Sequence, residues 1–139
     1  MKLSGKWKSL MYPDISGEFT LTCNDMSLSN PFHEQFTASL DLIYSKTSPY
    51  KGGGSTDVPL EGVYEFDNIY KINRFVLRQI EFDVLQYFTL TLNSANNKQW
   101  NGYLTCICPV DCVKLTDVKC QESDDKKDEV VDEEFVVTI

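Results

Sequence analysis

Gly17-Glu18-Phe19-Thr20-Leu21-Thr22-Cys23-Asn24 is strictly two-faced: Gly17, Phe19, Leu21 and Cys23 fall on one side, Glu18, Thr20, Thr22 and Asn24 on the other. In an extended chain residues i and i+2 share a face, so this alternation predicts a strand with one side in a core. The preceding run repeats the pattern, with Leu3, Gly5, Trp7 and Met11 opposing Lys6 and Lys8. Pro13-Asp14 lies between the two runs, and turn chemistry there predicts a hairpin.

The same pattern recurs downstream. Phe36, Ala38, Leu40, Leu42 and Tyr44 align over 35–45, and Leu60, Gly62, Tyr64 and Phe66 align against Glu61, Glu65 and Asp67 over 60–67. Val84, Phe88, Leu90 and Leu92 share a face over 84–92, the polar turn 93–98 follows, and further strands are expected at 100–108 and 111–118. Residues 69–82 fit two patterns. Ile69, Ile72, Val76 and Ile80 lie at helical spacing, whereas the β-branched and aromatic content favours a strand at 72–80. The glycine-rich stretch 46–59 reads as a long loop. Seven or eight antiparallel strands with mostly short connections predict an all-β domain over 1–120: an up-and-down barrel or a strongly curled sandwich. Gly5, Gly17, Gly62 and Gly102 each stand two positions from a bulky apolar residue. Small inward residues of this kind let a sheet curl.

Charge divides the chain. Its 139 residues carry a formal net charge of −8, yet eight acids and only two lysines, a net of −6, fall in 121–139. The body is nearly neutral and its sequence displays no basic stripe, so nucleic acid is not an expected partner. The acidic tail ends in the strand-forming Phe135-Val136-Val137-Thr138-Ile139. That end resembles a SUMO-interacting motif, and its last three residues resemble a PDZ ligand. Phe135, Val136, Val137 and Ile139 are therefore candidate partner-binding residues, unless the run pairs with the domain's own sheet. No apolar run approaches the ~20 residues of a membrane span, and no secretory leader is visible. A cytoplasmic protein that does not engage a membrane is the expectation.

Catalytic raw material is sparse. Of five cysteines, Cys106, Cys108, Cys112 and Cys120 fall in a C-x-C-x3-C-x7-C pattern. The pattern lacks the paired knuckles of a zinc site, and free thiols, a disulfide or zinc remain open, with no metal or cofactor expected. The one histidine, His33, reads as a turn residue, and Lys51-Gly52-Gly53-Gly54 has the wrong order for a phosphate loop. Glu61, Glu65 and Asp67 on one polar face read as solvated. Arg74 and Arg78 share a face with Ile72, Val76 and Ile80. Facing inward, they would clamp an acidic ligand; facing outward, they are surface charges.

Leu3-Ser4-Gly5-Lys6-Trp7, the turn into Gly17-Glu18-Phe19, and Leu60-Glu61-Gly62-Val63-Tyr64 together resemble the calycin barrels, that is, lipocalins, fatty-acid-binding proteins and avidins. Those families open with Gly-x-Trp, matched here by Gly5 and Trp7, and wind eight or more strands into a cup. The expectation is a non-enzymatic binding module that holds a small apolar ligand or a protein segment. Its candidate ligand residues are Trp7, Phe19, Tyr64, Phe66, Arg74, Arg78 and Trp100. The alternative is an adaptor that binds protein partners through sheet edges or the acidic segment.

Overall fold

The computed structural model describes residues 1–24, 26, 28, 34–45, 53–81, 87–106 and 111–121. Eight strands run in chain order: β1 (Lys2–Ser9), β2 (Ser16–Cys23), β3 (Glu34–Tyr44), β4 (Gly54–Asp67), β5 (Ile72–Gln79), β6 (Phe88–Ser94), β7 (Trp100–Cys106) and β8 (Asp111–Gln121). Each pairs antiparallel with its neighbour in sequence, and β8 returns to pair with β1, giving a closed up-and-down barrel. The curled-sandwich alternative falls away because every strand is paired on both sides. Residues 72–79 form a strand, so the β-branched content of that segment outweighs its helical spacing.

Alternation sets the interior. Leu3 and Trp7, Phe19 and Leu21, Leu40, Leu60 and Tyr64, Phe75 and Leu77, Leu90 and Leu92, Trp100 and Leu104, and Leu115 and Val118 all point inward and are buried. Eight strands enclose a space about wide enough for side chains to fill. Aromatic rings occupy both ends. Trp7 meets Tyr44 edge-on with centroids 5.4 Å apart near one end. Towards the other, Phe75 packs against Tyr64 and Trp100 at 4.9 Å each and against Phe36 at 5.8 Å. Burial of each large apolar side chain contributes roughly 1.5–3 kcal/mol.

Two of the glycines show how the sheet closes. Gly17 pairs directly with Trp7, and a Cβ added to it would lie 2.7 Å from the indole and collide with the Ile43 carbonyl. The indole is fixed there by its N–H, which donates to the Glu18 carbonyl at 3.1 Å. Gly5 stands against a bulge in β8, where the register to β1 slips between Ser4 and Lys6. Asp117 in that bulge takes a left-handed φ of 53°. A second bulge in β4, against Leu40 to Leu42 of β3, uses Asp57 at φ 54°. The Asp57 N–H is held by the Asp41 carboxylate at 2.7 Å. Aspartate tolerates this conformation better than most residues, and such bulges sharpen local twist. β4 and β8 lie half-way round the barrel from each other, so the two bends fall on opposite walls.

Several expected boundaries move. β1 ends at Ser9, and Leu10 and Met11 sit exposed in the turn. The long loop is shorter than expected, because β4 begins at Gly54 and runs through Pro59. Pro59 sits at an exposed position and its carbonyl still accepts the Ile80 N–H at 3.0 Å, so the missing proline donor does not break the strand. β6 starts at Phe88, β7 ends at Cys106 and β8 extends to Gln121. The expected strand residues 84–86 and 107–108, and the tail from 122, lie outside the described residues.

Candidate binding surfaces

The seven candidate ligand residues separate into two groups. Trp7, Phe19, Tyr64 and Trp100 point into the barrel, where side chains from all eight strands pack round them. The Trp100 indole N–H is fully buried and has no hydrogen-bond acceptor among the described residues. Phe66 sits at the end of β4, 42 % exposed. Arg74 and Arg78 lie on the outer wall, because the inward positions of β5 are Phe75, Leu77 and Gln79. The inward arginine clamp therefore does not form; the surface-charge alternative does. Gln79 is a buried polar residue that sequence reasoning missed, and its side-chain carbonyl accepts the Phe88 N–H at 3.1 Å.

Register organises the outer wall of β4 to β7. Glu61 lies opposite Arg78, and their charged groups meet at 3.0 Å. One row along, Val63, Val76, Thr91 and Tyr103 line up across four strands, with Val76 and Tyr103 exposed. In the next row Arg74 bonds Glu65 at 3.6 Å and Asp67 at 3.3 Å, and its Nε donates to Asn93 at 2.9 Å. An apolar strip thus runs between two polar rows. Beside it lies a shallow depression of about 380 Å³, lined by Ile72, Asn93, Asn96, Gln99 and Asn101 among others.

The β4–β5 turn is built with care. One oxygen of the Asp67 carboxylate accepts the N–H groups of Ile69 at 2.9 Å and Tyr70 at 3.1 Å, while the Asp67 carbonyl accepts the Lys71 N–H at 2.7 Å. Lys71 adopts φ 58° and its ammonium donates to Asn68 at 3.0 Å. The Tyr70 N–H, then that of Ile69 and the Arg74 guanidinium, hold the Asp67 carboxyl below its ordinary value of 3.8. These bonds fix a turn whose two central side chains stand out in solvent, Ile69 at 84 % and Tyr70 at 72 % exposed.

Next to this surface, closure brings β1 and β8 together, and with them five lysines on one wall, beginning where Lys114 pairs with Tyr103. Lys8 pairs with Lys114, Ser4 with Lys119 and Lys2 with Gln121, while Lys6 faces Thr116. The sequence offered no basic stripe because these lysines come from opposite ends of the chain.

Cys23, Cys106, Cys112 and Cys120 are not joined in disulfides. Burial pushes the Cys23 thiol up to about 12, with smaller effects from the N-terminal amine and Cys120. Among the described residues no three His, Cys, Asp or Glu side chains converge as a metal cage would require. Cys108, His33, Lys51, Gly52 and the terminal run Phe135, Val136, Val137 and Ile139 lie outside the described residues. Compared with known proteins, the chain matches no family model, no curated sequence and no solved structure. What the structure shows is a closed barrel of eight antiparallel strands in sequence order.

Proposed function

We propose that this protein is a non-enzymatic binding module that recognises a protein segment on its outer wall, with Ile69 and Tyr70 as anchors. The observation that carries the reading is the braced turn. Turn positions normally take Gly, Asn, Asp, Pro or Ser for their backbone freedom and solvation. Here two large apolar side chains occupy them, at 84 % and 72 % exposure. A turn fixed by the Asp67 carboxylate loses little further entropy when its side chains enter a partner's recess. Tyrosine in particular serves as a binding hot spot. The neighbouring strip of Val63, Val76 and Tyr103 extends the apolar contact, and the flanking ion pairs of Arg74 and Arg78 supply a polar rim. The adaptor alternative keeps the acidic segment as its means but loses sheet edges, since the eight described strands close on themselves and none of them is an edge.

One observation favours the apolar-ligand reading. The buried Trp100 N–H would welcome an acceptor brought by a guest. Against it stands the close packing of rings and leucines around that indole.

The test uses the full chain and a double variant, Ile69→Ser/Tyr70→Ser. Both positions are solvent-exposed, so melting temperature is expected to hold. Affinity capture with the wild-type chain should retrieve a protein that the variant does not. Equal capture by both, or uptake of a fluorescent apolar probe that shifts the Trp100 emission, would refute the outer-wall reading.

A further inference from the structure

We infer that the lysine wall of β1 and β8 is a docking surface for the chain's own acidic segment, residues 122–134. This goes beyond the outer-wall reading, since it concerns the adjoining β1–β8 wall, reached where Tyr103 pairs with Lys114, and a different chemistry. Three observations carry it.

The first is unbalanced charge. Lys2, Lys6, Lys8, Lys114 and Lys119 occupy the outward positions of two adjacent strands. Among the described residues their one ion pair joins Lys6 to Asp117 at 4.0 Å, with both side chains about two-thirds exposed. Such a pair contributes little. Among the described residues, Lys2, Lys8, Lys114 and Lys119 meet no carboxylate, whereas Arg74 and Arg78 on the far wall do. The second is a local conflict: Lys8 lies directly opposite Lys114. Like charges facing each other across a strand pair destabilise it, and an anion laid over both removes the penalty.

The third is where the chain goes next. β8 ends at Gln121, which pairs with Lys2 at one end of this same wall. The thirteen residues that follow hold eight acids and two lysines. The wall from Lys2 to Lys8 is about 20 Å long at the usual rise of a strand. Thirteen residues reach about 40 Å when extended, enough to turn back and cover it. A segment tethered at the rim of its own site competes at millimolar effective concentration, which makes weak single contacts count together.

Lysine acylation of the full chain under limiting reagent, read residue by residue by mass spectrometry, tests this. The comparison is a full-length variant with amides in place of the carboxylates at 122, 124, 125, 128, 129, 132, 133 and 134. At low salt Lys8, Lys114 and Lys119 should react several-fold more slowly in the wild type than in the variant, while Lys71, in the β4–β5 turn across the barrel, stays the same. The protection should vanish at about 1 M salt, where the screening length falls to about 3 Å. A labelled poly-glutamate peptide should bind the variant more tightly than the wild type. Equal lysine rates in the two proteins, slowing that is uniform and includes Lys71, or equal peptide affinity would overturn the inference. Protection that grows with protein concentration would do so too, by assigning the contact to the tail of a second copy.

Discussion

Gly17 and Trp7 face each other across the first hairpin, and the fit between them is an all-or-nothing matter of one carbon atom. Gly17→Ala puts that atom against the indole and the Ile43 carbonyl, neither of which can retreat without unpairing strands. The expected loss is about 1–3 kcal/mol, the range for overpacked cores, read as a lower urea midpoint at unchanged slope. Trp100→Ala should cost more, about 3–5 kcal/mol, because it removes a fully buried ring packed on Phe75, the centre of the aromatic cluster. Cys23 supplies a chemical check. Its thiol, raised by burial to about 12, stays protonated and should resist iodoacetamide at pH 8 in the native protein while reacting once unfolded. Since the folded-state value lies above the ordinary 9.0, the stability it lends is whole below about pH 9 and drains away as pH climbs towards 12. Cys23→Val should flatten that alkaline decline in a urea titration taken across the range.

At the level of strands and turns, the β4–β5 hairpin depends on Asp67, which binds two N–H groups of the turn and the Arg74 side chain. Asp67→Ala should leave the barrel folded but free the turn, seen as faster amide exchange at Ile69 and Tyr70. The pH dependence follows from the lowered carboxyl. The turn is fully braced above the ordinary carboxylate value of 3.8 and loosens as pH falls through the lower value of the folded state. Most strands were legible from alternation alone, because a half-buried strand must alternate. What alternation hides is an inserted residue. The bulges at Asp57 and Asp117 each break the period by one, so alternation did not correct the loop expected from the glycines of 46–59 where β4 begins, and β8 was expected to stop at 118. The outward turn of Arg74 and Arg78 was equally undecided by the sequence. Their own face carries Val76 and Ile80, and only the heavier opposite face, Phe75 and Leu77, determines which side the core takes.

For the whole molecule, closure creates features that no single segment contains. The apolar strip of Val63, Val76 and Tyr103 requires three hairpins in register, and the lysine wall requires the two ends of the chain to meet. A sequence read in windows sees three alternating lysines in β1 and two in β8, each unremarkable alone. The central claim is that the barrel is solid and does its binding from outside. The most direct test is methyl NMR of the full chain titrated with a long-chain fatty acid. If the account holds, the methyl resonances of Leu21, Leu40, Leu60, Leu90 and Leu104 stay where they are to saturating concentration. Progressive, saturable shifts of those five leucines would contradict it, by showing that a guest enters the interior.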